Sequence, residues 1–381
     1  MKFNVSSKAL YGYVSAVNKV ISSKNALAIL NNFLFSLKGN TLTVTACDLE
    51  NSLVGRIEVL DAEGEGKFCI DARRLVDLLK EMPEQGICFD INDENLAIKI
   101  SYSNGHYNLI AINGDEYPYN PEENPEDSAE NTVKFVASAE QLLRGVENTL
   151  FAVGNDDLRP QMMGILWDIH EDDITFVATD TRKLVKYIDR NIAPATTGRF
   201  ILPVKPATVF KNVFAKAEEV VVTLTPKNVT FSSADYTFTC CLIKGNFPDY
   251  NRVIPASSAY HATVDRHQFA TSVRRIAVFV EGGNRLVKFK FTPEQVVLRA
   301  SDSGICANAC ETLPCEFTGN EMVIGFSAEY LLGIFNTFTS PEVVINLSDP
   351  SKPGVFTPSE NDDNTELVTL LMPMTVTDFE N

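Results

Sequence analysis

An α+β chain of three similar domains, each with two helices packed against antiparallel strands, is what this sequence predicts. Three observations carry that prediction: one apolar helical face is written three times, a small-residue turn ending in an acid recurs, and a second strand-plus-helix unit recurs at the same offsets. The first copy opens with Met1-Lys2-Phe3-Asn4-Val5, a strand leading into a stretch with Leu10, Val14, Val17 and Ile21 on one helical face. Val133-Lys134-Phe135-Val136-Ala137, with Phe135 as the counterpart of Phe3, opens a stretch with Leu142, Val146, Leu150 and Val153 in the same places. His261-Ala262-Thr263-Val264 opens the third, with Phe269, Val273, Ile276 and Val280.

The turn follows in each copy as Thr45-Ala46-Cys47-Asp48, Val177-Ala178-Thr179-Asp180 and Arg299-Ala300-Ser301-Asp302, at offsets of 132 and then 122. The same two offsets relate three short strands that lead into a second helix: Phe68-Cys69-Ile70 into 71–82, Phe200-Ile201-Leu202 into 203–217, and Val323-Ile324-Gly325 into 327–338. What remains alternates apolar and polar residues around tight turns such as Lys38-Gly39-Asn40-Thr41 and Pro226-Lys227-Asn228. Each copy therefore reads strand, helix, three strands, twice over. A third of 381 residues is enough to bury a core, and polar or Pro-rich stretches at 120–131 and 254–259 set the expected domains at 1–125, 126–254 and 255–381.

Composition removes several classes of function. An apolar share of 45% excludes disorder, and no run nears the roughly 18 apolar residues of a membrane helix. The start has no basic segment followed by an apolar one, so a cytoplasmic protein with no membrane partner is expected. Eight cysteines are few for 381 residues, and Cys240 and Cys241 are adjacent, which suits reduced thiols. Cys306, Cys310 and Cys315 lack zinc spacing and a nearby His, so no metal is expected. Gly64-Glu65-Gly66-Lys67 is too short for a phosphate loop, no Gly-x-Ser-x-Gly or His-Glu-x-x-His occurs, and His106, His170, His261 and His267 stand apart from any nucleophile pattern. Asp48, Asp180 and Asp302 could be imagined as a metal triad, but as equivalents in three repeats they belong to separate turns. No catalytic residue and no cofactor are expected.

The formal charge is −17, which argues against a general nucleic-acid binder. Its distribution matters more. With helices at 6–24, 71–81, 138–153, 203–219, 265–280 and 327–338, the helices hold 13 basic and 9 acidic residues, so they are net positive on an acidic body. Lys8, Lys19, Lys24, Arg73, Arg74, Lys205, Lys211, Lys216, Arg274 and Arg275 contribute most. Ordinary solvated helix faces would give the same count.

Specific elements resemble the beta subunit of bacterial DNA polymerase III, the sliding clamp. They are Met1-Lys2-Phe3, Leu27-Ala28-Ile29-Leu30, Thr45-Ala46-Cys47-Asp48-Leu49-Glu50, Val177-Ala178-Thr179-Asp180, Phe247-Pro248-Asp249-Tyr250-Asn251-Arg252-Val253, Glu321-Met322-Val323-Ile324-Gly325-Phe326 and Met372-Pro373-Met374, in family order. The resemblance implies the DNA-clamp fold, with two antiparallel sheets per domain, and a head-to-tail homodimer closed into a six-domain ring with helices lining a hole for duplex DNA. It implies a non-catalytic processivity factor that holds DNA by encirclement, through salt-screened phosphate attraction without sequence preference.

The DNA-facing residues would be Lys8, Lys19, Lys24, Arg73, Arg74, Lys205, Lys211, Arg274 and Arg275. The family's DNA-contacting aromatic pair is replaced here by a loop with Asn155, Asp156, Pro160 and Gln161, which puts that contact in doubt. The subunit contact would set Tyr107 and Leu109 against Val278 and Phe279. The implied partner groove is Met162, Thr179, Thr181, Arg182, Lys183, Leu184, Pro248, Arg252, Val253, Leu370, Leu371, Met372, Pro373 and Met374. It would dock Gln-Leu-x-Leu-Phe peptides of the replicative polymerase catalytic subunit, translesion polymerases and repair proteins. An ATP-dependent clamp loader would be a further partner, because the chain has no nucleotide motif.

Two departures bear on the groove: the tail at 377–381, whose Phe379 could fold back onto it, and the polar insertion 350–365, read as a loop. Two rivals remain: an enzyme on a triplicated scaffold, which needs converging titratable groups, and a peptide-binding scaffold that does not encircle DNA.

Overall fold

Alternating side chains and Asx or Ser helix caps build the three copies in turn. A computed structural model describes residues 1–22, 24–119, 132–280, 285–302 and 307–379, with the Asp302 side chain excepted. The expected linker at 120–131 and Cys306 lie outside the described residues.

The first repeat runs β1 (Lys2–Ser6), α1 (Ser7–Val17), β2 (Asn32–Lys38), β3 (Thr41–Cys47), β4 (Asn51–Glu58), β5 (Leu60–Glu63), β6 (Gly66–Asp71), α2 (Ala72–Lys80), β7 (Gly86–Ile91), β8 (Ala97–Tyr102), β9 (Gly105–Ile110) and β10 (Ile112–Asn113). The second is β11 (Val133–Ser138), α3 (Ala139–Leu150), β12 (Gly164–Ile169), β13 (Ile174–Thr179), β14 (Lys183–Asp189), β15 (Gly198–Pro203), α4 (Val204–Val213), β16 (Glu219–Leu224), β17 (Asn228–Ser232) and β18 (Tyr236–Cys241). The third is β19 (Tyr260–Asp265), α5 (Arg266–Ala277), β20 (Leu286–Thr292), β21 (Gln295–Asp302), β22 (Ala307–Pro314), β23 (Glu316–Phe317), β24 (Met322–Ser327), α6 (Ala328–Thr337), β25 (Glu342–Leu347), β26 (Gly354–Pro358) and β27 (Thr365–Leu371).

Strands turn directly into helices because the last strand residue is a cap. Asp71 and Asp265 accept the N–H of Arg74 and Gln268, each at 2.7 Å, and Ser6 accepts that of Ala9. Three expectations need correction. α4 ends at Val213 rather than 219, so that Lys216 lies beyond it. The first helix ends at Val17 rather than 24, because the chain tightens into i→i−3 bonds from Lys19 to Ala16 and from Val20 to Val17. Lys19 and Lys24 therefore follow the helix. The insertion at 350–365 is not all loop, since it contains β26.

Every repeat supplies two four-stranded half-sheets. One kind is β1-β7-β8-β9, β11-β16-β17-β18 and β19-β25-β26-β27; the other is β6-β2-β3-β4, β15-β12-β13-β14 and β24-β20-β21-β22. Half-sheets of consecutive repeats join edge to edge, β4 with β18 and β14 with β27, and with the short β10 added beside β6 and β23 beside β19 two nine-stranded sheets result. The two joints share one register. Leu53 opposes Phe238 in the first and Val185 opposes Thr369 in the second, and Leu53 and Val185 are repeat equivalents in the same sense as Asp48 and Asp180. The first repeat's β9 and the third repeat's β22 remain as sheet edges.

Packing gathers the chain into two compact units, one of Met1–Leu143 with Thr208–Leu242 and one of Arg144–Ala207 with Ile243–Asn381. Each contains one nine-stranded sheet. In the first, α1 packs beside α2 over stacked Phe3 and Phe89, with ring centroids 5.0 Å apart. In the second, Trp167 is fully buried against Phe176 and Phe200, and Phe269 on α5 stacks on Phe335 of α6.

Candidate functional site

The turn between β13 and β14 starts the site. Asp180 Oδ1 accepts the N–H groups of Arg182 (2.9 Å) and Lys183 (2.8 Å), and the Thr179 hydroxyl donates to the Lys183 carbonyl at 2.8 Å. These bonds hold Thr181 at φ +77°, where a β-branched residue is strained. Asp48 does the same one repeat earlier, accepting from Glu50 and Asn51, and Leu49 also sits at φ +77°. The expected turn role thus describes Asp48 and Asp180; the Asp302 side chain lies outside the described residues.

Lys183 is nearly buried. Its ammonium pairs with Asp180 Oδ2 at 2.5 Å and lies 4.2 Å from the centroid of the Tyr330 ring on α6. Burying an ammonium is tolerable because this carboxylate and ring replace water. Next to it, the β14–β27 pairing puts Leu184 opposite Leu370. Both join a cluster with Leu166, Val177, Ile201, Phe247, Tyr250 and Val355. Met372 continues the pairing by donating its N–H to the Arg182 carbonyl at 2.8 Å, which leaves its side chain about half exposed.

The result is a groove of about 280 Å³ with walls from Met162, Pro248, Val253, Pro353 and Met372 and a floor that includes Leu184 and Leu370. Tyr250 fixes one wall by donating its hydroxyl to Asp168 at 3.0 Å, and burial, reinforced by the Asp168 charge, pushes its pKa up to about 12. An open, mostly apolar trough with a flexible Met rim suits the side chains of an extended ligand.

Ten of the anticipated groove residues line it: Met162, Thr179, Thr181, Arg182, Lys183, Leu184, Pro248, Val253, Leu370 and Met372. The structure puts the other four elsewhere. Leu371 is wholly buried, since alternate strand residues face opposite sides. Arg252 is exposed and paired with Asp249 at 2.9 Å. Met374 donates its N–H to Gly325 at 2.8 Å, and Pro373 is half-buried before it. Phe247, Asp249, Tyr250 and Pro353 were missed, although the Phe247-Pro248-Asp249-Tyr250 motif contains three of them. Phe379 does not line the groove; its ring lies 5.0 Å from the Arg299 guanidinium.

Lys8, Arg73, Arg74, Lys205, Lys211, Arg274 and Arg275 are exposed on helices, and Lys19 and Lys24 are exposed beyond α1. Arg275 is engaged, donating Nε and Nη2 to Glu311 at 2.8 and 2.5 Å; the bonds hold the Glu311 carboxyl below its ordinary pKa. Tyr107 on β9 and Val278 and Phe279 after α5 are exposed, and Leu109 is half-buried. Residues 155–161 form a loop entering the 3-10 turn Pro160–Met162. Among the described residues, no three His, Cys, Asp or Glu are placed to hold a metal, and no helix is long and apolar enough to cross a membrane.

Three family models cover most of the chain: the N-terminal, central and C-terminal domains of the DNA polymerase III beta subunit match residues 1–121, 137–249 and 251–375. The Beta sliding clamp of Pseudomonas aeruginosa is 27% identical over 98% of this chain and all of its own length. That of Chlamydia muridarum is 26% identical over 99% of this chain and all of its own. Among solved structures, a DNA polymerase III subunit beta from Pseudomonas aeruginosa bound to griselimycin matches with a TM-score of 0.91 at 26% identity, covering 99% of this chain and all of that one.

Proposed function

The chain belongs to the DNA polymerase III beta-subunit family, the bacterial sliding clamps and processivity factors of DNA replication, and from that premise we propose that two copies close head to tail around duplex DNA and tether polymerases through the groove of the second unit. The observation that carries this reading is the pair of open sheet edges. Within one chain, the end strand of one kind of half-sheet joins the end strand of the other kind twice, in the same register. β22 and β9 are the corresponding end strands left over, so a second copy supplies the same joint a third time, and again when the ring closes.

The repeat extends the register to single residues. Tyr107 stands opposite Ile100 as Phe238 stands opposite Phe231 and Thr369 opposite Phe356. Ala309 stands opposite Ala300 as Val185 stands opposite Ala178 and Leu53 opposite Ala46. The third joint therefore sets Tyr107 of one copy against Ala309 of the other.

Helices that hold ten basic and four acidic residues suit a phosphate-lined hole, while the acidic remainder disfavours DNA outside it. The groove's apolar floor suits Leu and Phe anchors of Gln-Leu-x-Leu-Phe peptides in the replicative polymerase, translesion polymerases and repair proteins. No step of this role is chemistry by the chain itself, and opening the ring falls to an ATP-dependent loader in the cytoplasm. The test is oxidative cross-linking of Tyr107→Cys with Ala309→Cys in a Cys310→Ser background. The antiparallel register puts the two Cα atoms within disulfide reach, and a covalent dimer is expected. Cross-linking only in an off-register Tyr107→Cys, Ala307→Cys pair would refute the assigned joint.

A further inference from the structure

After the groove, the chain runs on across the outer face of the sheet β22-β21-β20-β24. Met374 bridges to Gly325 on β24, and a Cβ on Gly325 would meet Val376 at 2.7 Å. Gly325 opposes Lys288 on β20, Lys288 opposes Arg299 on β21, and Arg299 opposes Cys310 on β22. Three residues beyond Val376, the Phe379 ring sits 5.0 Å from the Arg299 guanidinium. The tail thus follows one row of the sheet from β24 toward the open β22 edge. Two strand spacings, about 10 Å, are what three extended residues span. Lys288, Arg299 and Cys310 face away from the core, whose side holds Val287, Phe289 and Leu298.

The third joint continues this row. With Tyr107 opposite Ala309, the next pair is His106 opposite Cys310, and His106 faces outward because its neighbours Tyr107 and Leu109 stand opposite the buried Ile100 and Ile98. We infer that residues 375–379 are part of the subunit joint: Phe379, seated on Arg299 one strand in from the β22 edge, reaches over Cys310 to the His106 of the strand that a second copy adds. This rests on the ring reading above. The occupant is a second copy because the row ends at the same edge that the two internal joints mark for strand addition.

The test is the dimer dissociation constant of the full-length chain by sedimentation, for Phe379→Ala, His106→Ala and the double variant, with circular dichroism as a fold control. Either single change is expected to weaken the dimer about three- to tenfold, and the double no more than the stronger single, since both remove one contact. Groove-peptide affinity stays unchanged. An unaltered constant for Phe379→Ala, or two effects that simply multiply, would overturn the strap while leaving the ring intact. A full-length chain that is monomeric at micromolar concentration would overturn both.

Discussion

The two internal joints have one architecture and opposite surface chemistry. Where β4 meets β18, Ser52 opposes Thr239; at the equivalent place where β14 meets β27, Leu184 opposes Leu370. The Asp48 and Asp180 turns beside them are alike to the backbone angle. Tyr117-Pro118 recurs one repeat later as Phe247-Pro248, and the Tyr117 hydroxyl oxygen accepts the Cys47 N–H at 3.0 Å within a filled cluster of Leu30, Leu34, Cys47 and Cys69. Phe247 has no hydroxyl to make that bond, and its joint carries the groove. Paired edges define the scaffold, and the second joint differs both in its apolar Leu184–Leu370 pair and in the open space that Tyr117 closes at the first.

The strongest way to break this comparison is to copy one joint's residues into the other. Leu184→Ser with Leu370→Thr should weaken binding of a labelled Gln-Leu-Ser-Leu-Phe peptide by roughly 100-fold in fluorescence anisotropy, as two apolar anchors are lost. Ser52→Leu with Thr239→Leu should create no peptide site, because Tyr117 fills the equivalent space.

Next in size is the turn acid. Asp48→Ala should cost about 2 kcal/mol in urea unfolding, because the Glu50 and Asn51 N–H groups and the buried Asn51 side-chain amide lose their acceptor. Asp180→Ala should cost about 3 kcal/mol or more, because Lys183 is then left buried without its carboxylate. Equal costs would mean that Lys183 finds water and that the ion pair is incidental.

Much of this was legible beforehand. The recurring offsets gave the three repeats, because a core face and an Asx turn each need particular residues at particular spacings. The joints were not legible: whether Ser52 or Leu184 meets a strand of the next repeat depends on pairing between strands far apart in the chain. The fate of Leu371 and Met374 was hidden for a similar reason, since strand alternation and the bridge to Gly325 decide which side each one faces. The Phe379 strap needed the row Gly325, Lys288, Arg299, which no local pattern announces.

Smaller effects sharpen the same contrast. Tyr117→Phe should cost about 1 kcal/mol by leaving the Cys47 N–H without its acceptor, measured as a lower midpoint in thermal unfolding. Thr181→Gly should stabilise by up to about 1 kcal/mol by relieving the left-handed backbone, and Leu49→Gly by less, because Leu is not β-branched.

The central claim, a ring that holds DNA by topology, is tested most directly by closing the ring on a plasmid. Tyr107→Cys, Ala309→Cys, Cys310→Ser protein is first diluted until it is monomeric, then concentrated with circular duplex DNA at low salt so that rings re-form around it, oxidised, and washed at 1 M salt, where phosphate attraction is screened within about 3 Å. Retention of the covalent dimer on the circle, and its release when a restriction enzyme linearises the DNA, is the predicted result. Loss of the protein in the wash, or retention that survives linearisation, would contradict encirclement.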